Sequence, residues 1–255
     1  MSTITNHHDH GDFEYDQAWV QDQVRKIQQY IADNKASLLA IDESSSPRIL
    51  DYACGHGTIS LALLDAYPSA TFRGLDNHPK QVERYNSEAQ NALGNSQSRM
   101  WAKVGDLYEG SSKELDSDEW FNFDTIIMSM ALHHVADPLQ MLVNLKKRLK
   151  SGGTLVLVEW LGAKAHDHGK HGHQHDHSGA HSHQHAPADM IDAPGGQKIW
   201  PGFDESFFRE VLTEAGFQKA SIDVRVPGVT FTIPEELMQS FHKGVNELVF
   251  VKGVV

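Results

Sequence analysis

The spacing of hydrophobic residues along the chain predicts an alternation of helices and strands. In the N-terminal part, Trp19, Val24, Ile27 and Ile31 recur every three to five positions, which predicts a helix over residues 15–39. Beyond residue 47, short apolar runs predict strands, and the segments between them predict helices. The predicted strands cover residues 48–54, 71–75, 100–104, 124–130, 154–161, 221–226 and 248–254, and the helices cover 59–67, 79–93, 138–149 and 205–215.

Strands that alternate with amphipathic helices are typical of a parallel sheet covered on both faces. The run at 154–161 is apolar almost throughout, as expected of a strand that is buried on both sides. We therefore predict an α/β fold of the doubly wound, Rossmann-like type, with a seven-stranded, mostly parallel sheet and helices on both faces. Asp137 and Asp204 are placed to cap the helices that follow them, Pro79 is placed at the first position of its helix, and Gly152-Gly153 is expected to end a helix.

Two segments interrupt the alternation. Residues 162–200 show no periodic apolar residues, so we predict no helix or strand there, and we expect a lid insertion over the substrate pocket. Residues 227–244 are too long for a tight hairpin and are expected to form a second lid segment. The predicted organisation is an N-terminal tail and helical cap over 1–47, followed by one domain over 48–255.

Charge and composition narrow the range of partners. The chain has 34 acidic and 22 basic residues, a net charge of −12, which argues against nucleic acid or an anionic membrane surface as a partner. Since no apolar run approaches the roughly 20 residues that span a bilayer, we expect no membrane span. The single cysteine, Cys54, excludes an internal disulfide and fits a reducing compartment, which predicts a cytoplasmic protein. The sequence does not predict an oligomeric state.

Candidate chemistry begins at the turn after the first strand, where Gly55 and Gly57 precede a helix. Glycines there let a ligand lie against the main chain, and a helix N-terminus presents free N–H groups. Asp76 ends the second strand and would lie beside the same cleft, where a carboxylate can bind both hydroxyls of a ribose. This combination predicts a cofactor that contains a nucleoside. Dinucleotide sites have a third glycine, and Ser60 stands at that position, which makes a dinucleotide oxidoreductase the weaker alternative.

Five segments together resemble the class I S-adenosylmethionine-dependent methyltransferases, most closely the small-molecule branch that includes the ubiquinone and menaquinone biosynthesis type. They are ILDYACGHGTIS (49–60), GLDNHP (74–79), VGDL (104–107), FDTIIMSMALHHVADP (123–138) and LKSGGTLVLVEW (149–160). The resemblance covers residues 48–161 well and the rest of the chain more loosely. It implies a sheet with an antiparallel last strand. It also implies methyl transfer from S-adenosylmethionine to a small molecule, with S-adenosylhomocysteine as the product. The motifs do not identify the acceptor, but large aromatic residues in the segments expected to cover the substrate indicate an apolar or aromatic one, with plain lid packing as the alternative. These residues are Trp160, Trp200, Phe203, Phe231 and Phe241.

The resemblance also implies roles for individual residues around the cofactor. It implies Asp51, Gly55 and Gly57 around the methionine part, Asp76 at the ribose, Asn77, Asp106 and Leu107 at the adenine, Met130 and Ala131 near the sulfonium, and Tyr15 and Trp19 in the helix that caps the cleft. The alternatives are that Asp106 simply ends a strand and that Tyr15 and Trp19 are plain core contacts. His133 and His134 follow the fourth strand at the same edge, and one of them, with His133 favoured, is a candidate to remove a proton from a phenol or thiol acceptor. The alternative is that His133 shapes the loop and His134 packs or faces solvent.

Residues 166–185, HDHGKHGHQHDHSGAHSHQH, contain nine of the 17 histidines of the chain. Imidazoles at these spacings are ligands for Zn, Ni or Cu, although no spacing here defines a single tetrahedral site. A disordered insertion without function, a metal-binding lid and a pH-responsive lid all remain open. A metal-binding or regulatory protein that keeps the cofactor fold without catalysis is therefore the alternative function. The candidate ligands are His166, His168, His171, His173, His175, His177, His181, His183 and His185.

Overall fold

The computed structural model describes residues 17–42, 45–108, 113–162, 190–192, 198–234 and 245–255. The strands in these ranges are β1 Arg48–Tyr52, β2 Thr71–Asp76, β3 Met100–Val104, β4 Phe123–Ser129, β5 Leu149–Trp160, β6 Ile191–Asp192, β7 Lys198–Ile199, β8 Asp223–Arg225, β9 Thr230–Thr232 and β10 Val245–Val254. The helices are α1 Ala18–Leu39, α2 Thr58–Leu63, α3 Pro79–Leu93, α4 Pro138–Lys146 and α5 Glu205–Glu214.

The main sheet has the strand order β3-β2-β1-β4-β5-β10-β8, and β9 pairs with β10 outside this path. Strands β1 to β5 pair in parallel, whereas β10 is antiparallel to both β5 and β8. The predicted seven-stranded, mostly parallel sheet with an antiparallel last strand is confirmed. The short strand β9 is an addition to it, paired with the first residues of β10.

Helices cover both faces of the sheet, as the alternation predicted. Because neighbouring strand residues point to opposite faces, each central strand contributes to two cores. In β4, Ile127 belongs to the core beneath α1, α2 and α3, whereas Ile126 and Met128 belong to the core beneath α4 and α5. The N-terminal helix α1 is thus part of the first helical layer.

The predicted starts of α3, α4 and α5 are confirmed. The Asp137 side chain accepts a hydrogen bond from the Gln140 backbone N at 3.0 Å. The Asp204 side chain accepts one from the Phe207 backbone N at 2.8 Å, and Pro79 is the first residue of α3. These carboxylates each satisfy an N–H group that the first turn of the helix leaves unpaired.

The prediction that Gly152-Gly153 ends a helix is wrong. Helix α4 ends at Lys146, and β5 already begins at Leu149, ahead of both glycines. Gly152 has a φ of 74°, a conformation that glycine adopts without steric cost. The glycines therefore let a strand bend near its start, where the pairing register of β4 with β5 also shifts.

The prediction of no strand within 162–200 is also wrong in part. Strands β6 and β7, two residues each, pair as an antiparallel hairpin, and strands so short leave no periodic signal in a sequence. Trp200 is hydrogen-bonded to the loop after β4: its backbone N donates to His133 O and its Nε1 donates to Val135 O, both at 2.8 Å. Residues 163–189 and 193–197 lie outside the described residues, and so do the nine histidines of the tract.

The second predicted lid segment, 227–244, is described up to residue 234. Phe231 in β9 and Ile233 beyond it are buried against the core beneath α1, α2 and α3, so this part packs on the domain as expected. Residues 235–244 lie outside the described ranges. Across the described part of the chain, no helix is long and apolar enough to cross a membrane.

Candidate active site

A cavity of about 240 Å³ opens where β1, β2 and β4 end. The carboxyl ends of parallel strands share this edge of the sheet, where open α/β sheets bind their ligands. Helix α1 forms one wall, and the loops after β1 and β4 form the others. The lining residues are Val20, Gln23, Val24, Ile27, Asp51, Ala53, Cys54, Gly55, His56, Thr58, Ile59, Asp76, Ser129, Met130, Ala131 and His134.

The backbone around the cavity adopts conformations that L-residues rarely take. Gly55 and Gly57 have φ values of 50° and 88°, and the non-glycine residues Ala53 and Met130 both have a φ of 54°. Gly57 is not among the lining residues. It is required for packing, since a Cβ there would lie 2.9 Å from Tyr85 Cδ2. Unfavourable backbone conformations often gather at functional sites, because the surrounding structure holds them in place.

Asp51 brings a buried carboxylate to the cavity. It is 2% exposed, and its Oδ2 accepts hydrogen bonds from Ser60 Oγ at 2.8 Å and Ser60 N at 3.3 Å. Burial raises the pKa of Asp51 to about 7, the hydrogen bonds from Ser60 oppose this, and the charge of Asp76 adds to it. A cation placed beside this carboxylate would favour its ionised form.

Asp76 lines the cavity and accepts hydrogen bonds from two loops. Its Oδ2 accepts from the backbone N of Gly55 at 2.9 Å, and its Oδ1 accepts from the backbone N of His78 at 2.8 Å. The carboxylate thus holds the glycine loop against the end of β2, and it also presents an acceptor at the cavity wall. Asn77, the next residue, is exposed and is not among the lining residues.

Asp106 and Leu107 lie beside β1 rather than on the cavity wall. Asp106 Oδ1 accepts from the Tyr52 hydroxyl at 2.7 Å and from the Tyr108 backbone N at 2.7 Å. The Leu107 backbone N donates to the same Tyr52 hydroxyl at 3.2 Å. Burial and the Asp106 carboxylate both raise the pKa of Tyr52, so its hydroxyl stays protonated and keeps donating. Spacing along the chain does not reveal this role of Tyr52, because the role depends on how closely the end of β1 approaches the loop after β3.

Glu159 at the end of β5 organises the loop that carries the two histidines. It is 1% exposed, and its Oε1 accepts from the backbone N of Leu132 at 2.6 Å and of His133 at 3.3 Å. Its Oε2 contacts His133 Nδ1 at 2.8 Å. His133 is 3% exposed, and its ring stacks on Trp160 with centroids 4.4 Å apart. His133 is therefore held beneath the loop, away from the cavity wall.

His134 is the histidine that lines the cavity, with its ring centroid 4.2 Å from that of His133. Desolvation by the surrounding protein, with His133 as the second cause, lowers the pKa of His134 to about 4, while Glu159 acts in the opposite direction. His134 is an exposed residue as a whole, so contact with water opposes this desolvation. At neutral pH the structure therefore presents a neutral imidazole to the cavity.

Other predicted site residues lie elsewhere. Trp19 packs against the core, and its Nε1 donates to Gln17 at 2.8 Å. Tyr15 lies outside the described residues, as does the histidine tract. Within the ranges that the structure describes, no group of three or more His, Cys, Asp or Glu side chains is placed to hold a metal ion.

Sequence reasoning missed several polar wall residues, among them His56, Thr58, Ser129 and, as the most buried of these, Gln23 on α1. It follows Val20 by three positions and precedes Ile27 by four, so it shares the buried face of the helix with them. A polar residue on such a face was the signal that could have identified it. The structure shows that this face borders the cavity.

Comparisons with known proteins give consistent results. A family model described as a methyltransferase domain matches residues 24–222. The chain is 31% identical over 129 residues to an uncharacterized methyltransferase of Schizosaccharomyces pombe, covering 50% of this chain and 43% of that protein. It is 29% identical over 111 residues to trans-aconitate 2-methyltransferase of Streptomyces coelicolor, covering 44% and 34%. The chain thus spans less than half the length of these two relatives.

The fold is also similar to a solved structure. Magnesium protoporphyrin IX methyltransferase from Synechocystis PCC 6803, with bound SAM, superposes with a TM-score of 0.56 at 17% identity. The match covers 100% of this chain and 86% of that one. At this identity the likeness shows a shared fold.

Proposed function

The chain belongs to the methyltransferase domain family, and from that premise we propose that it transfers a methyl group from S-adenosylmethionine to a small molecule. The observation that carries the proposal is the meeting of Asp51, Gly55 and Asp76 with the loop after β4 at one cavity. An acid at the end of β2 and a glycine backbone beside it suit a nucleoside-containing ligand.

The residues present fit this methyl donor. Asp76 would hold the ribose hydroxyls, and the buried Asp51 would lie beside the positively charged end of the amino-acid tail. Gly55 has no side chain to obstruct the ligand. The roles in adenine binding for Asn77 and for the Asp106-Leu107 pair stay predictions. The same holds for Tyr15 and Trp19 as a cover of the cleft.

The bound donor supplies a methyl group that is already activated, so the chain mainly positions and desolvates the acceptor. We assign acceptor contact to His134, because it lines the cavity while His133 is buried against Glu159 and Trp160. A neutral imidazole with a lowered pKa accepts a hydrogen bond well but takes up a proton weakly. Its proposed role is to orient an O–H, N–H or S–H group of the acceptor. The role of His133 as the general base stays a prediction.

The acceptor is proposed to be small and partly apolar. Val20, Val24, Ile27 and Met130 form apolar parts of the cavity wall, which suit such a molecule. One relative is by its name a methyltransferase of a small molecule, trans-aconitate. The net charge of −12 supports the exclusion of nucleic acid as the acceptor.

Release of S-adenosylhomocysteine tests the proposal. The purified chain is incubated with S-adenosylmethionine and a panel of small hydroxyl, carboxyl, amine and thiol compounds, and the product is measured by mass spectrometry. We expect release above background with at least one compound and its loss in Asp76→Asn. Tight cofactor binding without turnover over the whole panel would favour the regulatory alternative. Thermal stabilisation by NAD, and none by S-adenosylhomocysteine, would favour a dinucleotide enzyme.

We propose as a second function that the histidine tract binds divalent Zn, Ni or Cu. Its support is composition, since nine histidines occur within residues 166–185. Calorimetry with Zn and Ni compares the wild-type chain with a chain that lacks 166–185. We expect binding to the wild type and its loss in the deletion, and unchanged affinity and stoichiometry would refute metal binding by the tract.

A further inference from the structure

The side chain of Gln23 brings an unpaired polar group to the cavity. Gln23 is 6% exposed and lines the cavity together with Val20 and Ile27. Its Nε2 is buried and has no hydrogen-bond partner among the described residues. An unpaired buried donor is costly, so native folds keep one where a ligand or another partner satisfies it.

Other glutamines of α1 show what an amide does there when it has a structural role. Gln28 donates from Nε2 to the backbone O of Thr58 at 3.0 Å and so ties α1 to the start of α2. Gln29 is exposed and donates to Asp33 at 2.9 Å. Gln23 has no such bond, and its neighbours on the wall are apolar. An apolar residue would therefore satisfy the packing of this position.

Asp51 complements Gln23 on the same cavity. Its carboxylate accepts from Ser60, and no Lys or Arg occurs among the described residues that line the cavity. An α-amino acid has a cationic ammonium group and an anionic carboxylate on one carbon. The buried carboxylate of Asp51 suits the ammonium group, and the N–H donor of Gln23 suits the carboxylate.

We propose that Gln23 is a ligand-binding residue whose amide donates a hydrogen bond to the carboxylate of the amino-acid tail of the methyl donor. The inference rests on the proposed function, since S-adenosylmethionine and S-adenosylhomocysteine both have this tail. It makes α1 a part of the ligand site as well as its cover. It also gives the site a means to prefer ligands with the tail over nucleosides without it.

Two ligands separate this role from a structural one. S-adenosylhomocysteine carries the tail, and 5′-methylthioadenosine has the same thioadenosine without it. Isothermal calorimetry with both is performed on the wild type, Gln23→Met and Gln23→Glu, with Gln29→Met on the exposed face of α1 as the control. Methionine keeps the size of the side chain and removes the donor, whereas glutamate opposes the ligand carboxylate with a like charge.

We expect Gln23→Met to weaken S-adenosylhomocysteine binding by about tenfold to 100-fold, the usual effect of losing a hydrogen bond to a charged group. The affinity of Gln23→Met for 5′-methylthioadenosine should not change. Gln23→Glu should lose more affinity for S-adenosylhomocysteine than Gln23→Met does, and the control should bind both ligands as the wild type does. Unchanged binding of S-adenosylhomocysteine, or equal loss of both ligands, would overturn the inference. If the wild type binds neither ligand, the proposed function itself fails. If the wild type and Gln23→Met bind both equally, only this inference fails.

Discussion

The buried carboxylate of Asp51 gives a prediction that links stability to pH. Burial raises its pKa to about 7, whereas an aspartate in an unfolded chain ionises near 3.9. At a pH between these two values, Asp51 is ionised in the unfolded chain and protonated in the folded chain. The stability that this group contributes is therefore complete below about pH 4 and is lost as the pH rises through about 7.

The magnitude follows from the two pKa values. At about 1.4 kcal/mol for each pKa unit, the interval between pH 5 and pH 7 accounts for about 3 kcal/mol. Asp51→Asn keeps the shape and an oxygen that can accept from Ser60, but it carries no charge. Relative to the wild type, the stability of this variant should rise by about 3 kcal/mol between pH 5 and pH 8. Its affinity for S-adenosylhomocysteine should fall, because the ligand ammonium loses its counter-charge.

Urea unfolding followed by circular dichroism at pH 5, 6, 7 and 8 measures the first effect, with Asp33→Asn on the exposed face of α1 as the control. Calorimetry over the same pH range measures the affinity for S-adenosylhomocysteine. The wild-type affinity for S-adenosylhomocysteine should increase through about pH 7, because the ligand favours the ionised carboxylate. Parallel stability curves for the wild type and Asp51→Asn would refute the assignment of this titration to Asp51.

Three further predictions concern the loops around the cavity. Gly57→Ala should destabilise the fold by about 2–4 kcal/mol, because its φ is 88° and the new Cβ would meet Tyr85; unchanged urea unfolding would contradict this. Glu159→Gln keeps one oxygen for the backbone N–H groups of Leu132 and His133 but replaces the oxygen that faces His133 Nδ1 with an amide group. The variant should therefore lose about 1–3 kcal/mol of stability and shift the imidazole NMR signals of His133, and identical spectra would rule out the contact. His134→Ala should lower kcat/KM by roughly tenfold or more with little change in cofactor affinity. His133→Ala should mainly reduce the stability of the fold. The reverse pattern would favour His133 as the catalytic histidine.

Much of the fold could be predicted from hydrophobic spacing alone. The third strand has the predicted bounds, Met100–Val104, because its apolar run ends where polar loops begin. The residues at strand ends were also predictable as neighbours. Asp51, Asp76 and Met130 meet at one cavity because the carboxyl ends of parallel strands share an edge.

The contacts between distant segments could not be predicted in this way. The spacing of α1 places Gln23 on the buried face of the helix but does not show what that face packs against. Its place on the cavity wall therefore needed the structure. The Tyr52 hydroxyl reaches Asp106 across 54 positions of sequence, and Glu159 reaches Leu132 across 27. Strands β6, β7 and β9 have two or three residues each, too few to show a period.

Titration of S-adenosylhomocysteine into the wild type and Asp76→Asn tests most directly whether the cavity is the cofactor site. Asparagine keeps an oxygen that can accept from Gly55 N but loses the charge beside the ribose position. Asp124→Asn, at the opposite end of β4, is the control. We expect one binding site in the wild type and the control, and roughly tenfold or weaker binding in Asp76→Asn, since a hydrogen bond to a charged group is lost. Equal affinity in all three proteins, or no binding to the wild type, would contradict the assignment.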